Sequence, residues 1–369
     1  MKLGLLTFHT AANYGAALQA YAFEKFLMDK GYDCEYINYV NTSRAHEYSM
    51  KWHIWDSLRH GKPASAVAYM LGAPFMSLRK KRFNRFYGKY LRKTKQIYKS
   101  SVEAAQLNDY YDYFVVGSDQ LWNPVCNGDD TAFLLDFVKD DKKRVSYSPS
   151  FGLTEVDDAH KDAYTENLKR FASIGVREMV GQKIVKDLTG RDATLVLDPV
   201  LLLTKEQWME VMPKKGKKER FIFSYTNRES QTAEFFKTGY KLDGRKHYVL
   251  SRYTRPQDFI NPQTRIKYCM SPEEFLYVIN NAELVVSASF HCIALSIILN
   301  RPFVAFITGD EGKDERLLNL LRTLGLQDRV LREGMKLEDV NAPIDYKLVN
   351  ERIEKMKKLS VDYIINALR

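Results

Sequence analysis

Short apolar runs rich in β-branched residues recur along the chain, and most lead through a small polar loop into an amphipathic stretch. The first such unit is a strand over 3–8, a helix over 16–30 that Gly31 ends, and a strand over 34–40. Two parallel strands need a crossover of this kind between them. The pattern therefore predicts a βαβ unit at the start of a parallel sheet.

The same rhythm continues through the first half of the chain. Further strands are predicted at 113–116, 145–148, 174–178 and 193–197, with helices over 155–171 and 179–189. Between 41 and 100 the pattern is irregular, tyrosine-rich and basic. This stretch indicates a helical insertion that covers one side of a cleft.

A polar, glycine-containing stretch at 214–218 separates this half from a second one, in which strand and helix alternate again. The predicted elements are strands at 221–225, 247–251, 284–286 and 303–306 and helices at 229–238, 272–281, 293–299 and 347–368. We therefore predict an α/β fold of two Rossmann-like domains that face each other across a cleft. The first spans 1–212, the second 213–346, and a C-terminal helix covers 347–369.

Composition excludes several classes of protein. The 369 residues are 45% hydrophobic and 28% charged, as in ordinary globular proteins. No apolar run approaches the roughly 20 residues of a membrane span, and the N-terminal run is too short for a signal peptide. The cysteines have neither paired nor zinc-site spacing, so we expect no disulfide framework, no metal and a cytoplasmic location.

The net charge of +10 is concentrated between 79 and 95, where aromatic and basic residues alternate. Four aromatic residues fall on one face of a helix: Phe83, Phe86, Tyr87 and Tyr90. One interpretation is a solvated helix with this face in the core, and another is peripheral contact with an anionic membrane at its inner face. No nucleic-acid-binding motif accompanies the charge, so we expect no nucleic-acid partner.

The stretch 284–306 contains the strongest candidate for catalysis. His291 follows the predicted strand and Ser289, a favourable helix N-cap, so it lies at a strand-to-helix junction. Ligands of open α/β sheets bind at the carboxyl ends of the strands, and helix N-termini attract anions. An imidazole there could deliver a proton beside a bound phosphate or carboxylate, although a capping or core histidine would have the same local sequence.

Other loops are predicted at the same edge of the sheet. The turn from Asn13 to Gly15 allows a ligand to approach the backbone closely at a second helix start. We expect the cleft also to be lined by His9 of the same loop and by Ser118, Asp119 and Ser150 of two further polar loops. Asp198, which precedes a proline, is interpreted as a turn residue.

An ordered set of motifs resembles the polysaccharide pyruvyl transferase family. The motifs are TFHTAANYGAALQAYA at 7–22, VVGSDQLWNP at 115–124, VSYSPSFG at 145–152, SIGVRE at 173–178, LDPVLLL at 197–203, and SPEEF followed by SASFHCIALSIILNRPF. The likeness covers about residues 1–330 and implies a fold like the two-domain GT-B glycosyltransferases. It also implies transfer of pyruvate from phosphoenolpyruvate onto two sugar hydroxyls, as a cyclic ketal, in a bacterial cell-surface polysaccharide or its lipid-linked precursor.

The resemblance also implies roles for individual residues. Arg177 of SIGVRE is expected to hold the anionic donor, although a salt-bridge role stays open, and His291 is expected to be the general acid. The helix starts at Asn13, Gly15, Ser289 and Phe290 complete the expected donor site, with no metal and no cofactor. The family pattern usually reads Ser-Phe-His-Gly, and Cys292 stands in the last position here.

Two alternative functions remain open at this point. One is a nucleotide-sugar-dependent glycosyltransferase of the same two-domain shape, although no acidic ribose-binding residue is convincingly placed for it. The other is a non-catalytic scaffold of glycan assembly that uses 79–95 on a membrane surface.

Overall fold

The computed structural model describes residues 1–47, 49–214, 219–226, 229–250 and 264–369. The strands are β1 Lys2–Leu6, β2 Asp33–Tyr36, β3 Tyr113–Val116, β4 Arg144–Ser146, β5 Ser173–Val176, β6 Thr194–Leu195, β7 Phe221–Tyr225, β8 Lys246–Leu250, β9 Thr264–Lys267, β10 Leu284–Ser287 and β11 Phe303–Ala305. The helices are α1 Tyr14–Asp29, α2 Thr42–Glu47, α3 Met50–Arg59, α4 Pro63–Tyr90, α5 Ser101–Ala104, α6 Pro124–Asn127, α7 Asp158–Lys169, α8 Met179–Thr189, α9 Lys205–Val211, α10 Glu229–Phe236, α11 Pro272–Asn281, α12 Phe290–Ile298, α13 Glu311–Leu324, α14 Leu337–Asn341 and α15 Tyr346–Ala367.

These strands form two parallel sheets, which confirms the predicted α/β fold. The first has the order β2-β1-β3-β4-β5-β6 and the second β11-β10-β7-β8-β9. Strand β1 pairs with β3 from Leu3 opposite Tyr113, and β10 pairs with β7 from Leu284 opposite Ile222. The central strands are buried along their length because helices cover both faces of each sheet.

The predicted domain boundary falls between β6 and β7, and it stays a prediction. Of the predicted linker 214–218, residues 215–218 lie outside the described residues, as does Ser251 of the predicted strand 247–251. The remainder of that strand is β8.

Capping explains where the helices of the second half begin. Ser271 accepts from the backbone of Glu274, whose side chain accepts from the Ser271 amide in return, and this capping box starts α11 where it was predicted. Helix α12 begins at Phe290 and not at Ile293 as predicted, because Ser289 accepts from the Cys292 amide. His291 therefore lies in the first turn of a helix.

The insertion consists of α2, α3 and the 28-residue helix α4. The aromatic face of its basic stretch is buried, since Phe83, Phe86 and Tyr87 are 1%, 0% and 2% exposed. Phe83 packs 4.9 Å from the ring of Tyr14 on α1. These aromatic side chains are thus part of the core, as the first interpretation of this stretch expects.

Direct packing joins the two halves of the molecule. Tyr14 stacks on Phe275 of α11 at 4.5 Å, and its hydroxyl donates to the carbonyl of Met270 at 2.8 Å. The last helix, α15, returns to the first sheet, where the Tyr363 hydroxyl donates to the Ser146 carbonyl at 2.8 Å. The carboxyl ends of both sets of strands consequently face one shared cleft.

Candidate active site

A cavity of about 1320 Å³ lies between the two halves. It is lined by segments that follow parallel strands in both sheets, including Thr10–Asn13 after β1, Asp119 and Gln120 after β3, and Ala288–His291 after β10. Helices α3 and α4 provide another part of the wall through Met50, Lys51, Met76 and Lys80. The cavity occupies the edge of the sheets where ligands of open α/β folds bind.

His291 belongs to the second half but is held by groups of the first. Its Nε2 atom lies 3.4 Å from Oδ2 of Asp198. The other side of the ring faces the backbone of Gly15, where a Cβ atom would lie only 2.7 Å from Cγ and 2.8 Å from Cε1 of the imidazole. The ring is 8% exposed and lines the cavity, so its orientation is fixed while it remains accessible.

Asp198 connects the two halves of the site. Its Oδ2 atom accepts from Nη1 of Arg177 at 2.7 Å and lies 3.0 Å from the Ser118 hydroxyl, while Oδ1 accepts from the Val200 amide at 3.0 Å. Burial raises the pKa of this carboxyl, but the charges of His291 and Arg177 outweigh burial and hold the pKa well below its usual range. Asp198 is therefore a buried anion.

The interpretation of Asp198 as a turn residue was incomplete. Oδ1 does cap the short 3-10 turn Pro199–Leu201, as expected of an aspartate before a proline. Oδ2 instead contacts Arg177 and His291 at the site, a role that the local sequence does not indicate. Its position three residues after β6 of the first sheet, inside the LDPVLLL motif, was the signal that could have placed it at the site.

Arg177 lies behind the cavity wall and is not among the described residues that line it. The side chain is 5% exposed, with its guanidinium carbon 4.9 Å from the centre of the Phe290 ring. Burial lowers the pKa of Arg177, but Asp198, Glu178 and Asp119 outweigh burial and raise it. Nε and Nη2 are buried without a hydrogen-bond partner among the described residues, and Nε lies 3.9 Å from Oε2 of Glu178, so the expected role of Arg177 in holding the donor stays a prediction.

Sequence reasoning missed a second arginine at the cavity. Arg316 lies on α13 and lines the cavity directly. Burial and the nearby charge of Arg177 lower its pKa to about 10, and its Nε has no hydrogen-bond partner in the described part of the chain. Only the packing of α13 against the rest of the second half brings this side chain to the site, so no local motif could have identified it.

Of the other predicted residues, the two helix starts reach the cavity. Asn13 caps α1 by accepting from the Ala16 amide at 3.2 Å, and Ser289 caps α12. Asn13, Ser289 and Phe290 line the cavity. The free amides and the dipoles of both helices therefore favour an anion there. Gly15 does not line the cavity, because the group that approaches its backbone is the imidazole of His291.

Asp119 is the one predicted acceptor-side residue that lines the cavity among the described residues. Its backbone has a φ of 85°, and its Oδ1 accepts from the Gln120 amide at 2.8 Å. Burial raises its pKa, but His291, Arg177 and Arg44 outweigh burial and lower it. An ionised carboxylate thus faces the cavity near the imidazole.

Three residues expected to line the cleft are buried instead. His9 is 0% exposed, with Nδ1 3.0 Å from the Thr7 carbonyl, and burial lowers its pKa to about 4. Ser118 and Ser150 are also 0% exposed. Each lies in a loop at the correct edge of the sheet, but its side chain turns inward, where Ser118 supports Asp198.

Comparison with known proteins shows to which family the chain belongs. A family model described as polysaccharide pyruvyl transferase matches residues 13–310, most of the chain. The chain belongs to the polysaccharide pyruvyl transferase family. This confirms the resemblance found in the sequence motifs. No curated protein matches the sequence.

Solved structures agree on the two-domain GT-B fold of this pyruvyl transferase family member. UDP-GlcNAc 2-epimerase from Neisseria meningitidis, bound to UDP-GlcNAc, is similar with a TM-score of 0.54 and 10% identity over 99% of this chain and 100% of that one. A putative UDP-N-acetylglucosamine 2-epimerase from Listeria monocytogenes has a TM-score of 0.52 and 8% identity over 97% and 90%. At such low identity the likeness shows the fold alone.

The departure from the pyruvyl transferase pattern lies in the core. Cys292 is 0% exposed and belongs to the main hydrophobic cluster, and burial raises the pKa of its thiol to about 12. The thiol therefore stays protonated at neutral pH and is not a nucleophile.

Across the described residues, no helix is both long enough and apolar enough to span a bilayer.

The pKa of Asp198 is lower in the folded than in the unfolded state, so the ionised carboxylate stabilises the fold at any pH above its unfolded pKa, which is near 4. This stabilisation is lost as the pH falls from there toward the pKa of the folded state. We expect Asp198→Asn to lower the free energy of unfolding by about 3 kcal/mol at pH 7, as for a broken buried ion pair. Denaturant unfolding should show this difference shrinking below about pH 4. Asp192→Asn, at an exposed pair with Lys186, is the control and should change little. A difference that stays constant down to pH 3 would contradict the assignment.

Proposed function

We propose that this chain transfers the pyruvyl group of phosphoenolpyruvate onto two hydroxyls of a sugar as a cyclic ketal, in a bacterial cell-surface polysaccharide or its lipid-linked precursor. Family membership supports the pyruvyl transfer. The observation that supports this donor is the cavity wall, to which His291, Arg316 and two helix N-termini all contribute. A small molecule with a phosphate and a carboxylate suits such a wall, because both of its groups are anions.

In the proposed reaction His291 donates its proton to the methylene carbon of the donor. C2 then becomes electrophilic, and the first sugar hydroxyl forms a bond to it while its proton passes to the neutral imidazole. The C2–O bond to phosphate breaks and phosphate leaves. The second hydroxyl attacks C2, closes the ring and gives up its proton to the departing phosphate. Asp119, an ionised carboxylate on the same wall, is suited to orienting the acceptor hydroxyls.

The groups behind the wall position the acid. Asp198 and the Gly15 backbone hold the imidazole from two sides. A general acid or base is commonly oriented by a third group in this way. Arg177 neutralises Asp198 from behind the wall, while Arg316 lines the cavity and faces the donor directly.

Replacing the acid tests the reaction itself. We expect His291→Ala to reduce phosphate release from phosphoenolpyruvate, in the presence of a panel of oligosaccharide acceptors, by about 10²–10⁴-fold while the protein stays folded. His60→Ala, at an exposed histidine, should retain full activity. Release of UDP from UDP-sugars, with no phosphate from phosphoenolpyruvate, would instead support a nucleotide-sugar-dependent glycosyltransferase.

A single methyl group tests the clamp on the imidazole. Gly15→Ala would place a Cβ atom against the ring of His291, so the ring must move. We expect at least a 10²-fold loss in kcat with a small change in melting temperature. Gly88→Ala is the matched control, because a Cβ at that helical position meets nothing within 4 Å. Full activity of Gly15→Ala would show that the observed ring position is not the working one.

The donor-facing cation is tested by a substitution that keeps its charge. Arg316→Lys loses the planar fork of the guanidinium, so we expect the KM for phosphoenolpyruvate to rise about ten-fold with little change in kcat. Arg322→Lys on the same helix, where the exposed arginine pairs with Glu315, serves as the control. An unchanged KM for Arg316→Lys would remove this residue from the donor site.

A further inference from the structure

Helix α4 carries an apolar stripe that stays about half exposed or more, although one member, Phe75, contacts Tyr268 with ring centroids 5.5 Å apart. The stripe consists of Val67, Met70, Leu71, Phe75 and Leu78, which are 48%, 50%, 73%, 49% and 44% exposed. Their spacing of three and four residues places them on one face of the helix. We call this face the α4 stripe. Large apolar residues concentrated on one exposed face mark an interaction surface.

Helix α3 extends this surface. It packs beside α4, with His53 stacked on Tyr69 at 5.1 Å. Two of its apolar side chains, Trp55 and Leu58, are 53% and 57% exposed. Both helices of this hairpin therefore expose large apolar side chains.

Basic residues continue the α4 stripe along the same face toward the C-terminus of the helix. Lys81, Arg85 and Lys89 follow Leu78 at helical spacing and are exposed, while the aromatic residues of this segment face the core on the opposite side. Residues 50–90 contain nine lysines and arginines and one acidic residue, Asp56. The surface therefore combines apolar side chains with a strong positive charge.

The same hairpin forms part of the cavity wall, through Met50, Lys51, Met76 and Lys80. A partner that bound the hairpin would therefore lie next to the opening of the site. The surface of the hairpin is thus adjacent to the proposed reaction site.

We propose that the α3–α4 hairpin docks on an anionic lipid bilayer, with the α4 stripe inserted among the acyl chains and Lys81, Arg85 and Lys89 against the headgroups. The basic residues of this contact belong to the stretch 79–95, but its aromatic side chains Phe83, Phe86 and Tyr87 are buried and take no part in it. Where the proposed function holds, docking would present a lipid-linked saccharide to the adjacent cavity; the docking itself does not depend on that function.

Charge favours a lipid surface over a second copy of the chain. Two copies joined through this face would bring two strongly basic hairpins together, and like charges repel at short range. An anionic bilayer offers both the apolar interior that the stripe needs and the negative charge that the basic residues need. A purely apolar partner would leave the positive charges of the hairpin without negative charges to pair with.

The test is flotation of the full chain with vesicles of phosphatidylcholine containing 30% phosphatidylglycerol. We expect the wild-type protein to float with these vesicles and at least ten-fold less with pure phosphatidylcholine. Leu71→Glu and the pair Lys81→Glu and Arg85→Glu should each reduce binding at least ten-fold. None of these residues lines the cavity, so phosphate release with a soluble acceptor should be unchanged.

Matched controls separate docking from general surface hydrophobicity. Val102→Glu and Leu359→Glu alter apolar side chains that are 85% and 59% exposed elsewhere, and both variants should bind vesicles like the wild type. The inference is overturned if the wild type does not float with anionic vesicles or if Leu71→Glu behaves like Val102→Glu. It is also overturned if sedimentation shows a dimer that Leu71→Glu dissociates. Flotation requires no phosphoenolpyruvate, so the two proposals can fail separately. A protein that releases phosphate but does not float leaves the proposed function standing. A protein that floats but releases no phosphate leaves the docking standing.

Discussion

The candidate site depends on one buried carboxylate. Asp198 is 1% exposed, and a charge so deeply buried persists only when it is paired and hydrogen-bonded. Arg177 of the first half and His291 of the second half meet at its Oδ2 atom, at 2.7 Å and 3.4 Å. The arginine and the histidine thus converge across the gap between the sheets, as expected, but the group on which they converge in this structure is part of the protein.

This arrangement links the fold to the chemistry. The imidazole comes from a helix start of the second half, and the groups that orient it come from the first, so the site exists only while the two halves are packed together. The stacking of Tyr14 on Phe275 and the return of α15 to the first sheet maintain that packing. On the open side of the ring the wall offers cations and helix amides, which suits an anionic donor.

Local signals predicted much of the fold, and tertiary packing decided the rest. The bounds of helix 179–189 and the start of helix 272–281 were predicted correctly, because Gly190 ends the first and a capping box starts the second. His291 was identified because a strand-to-helix junction is visible in the sequence. Arg316 and the role of Asp198 were missed, and His9 and Ser150 were misplaced, because a loop's position at a sheet edge does not say which way its side chains point.

A crystal structure with phosphoenolpyruvate bound tests the central claim most directly. The account predicts density for the donor in the cavity, with its methylene carbon within reach of the His291 imidazole and its anionic groups against Arg316 and the two helix N-termini. Donor density remote from His291, or a cavity that takes up UDP-GlcNAc and leaves phosphoenolpyruvate unbound, would contradict it.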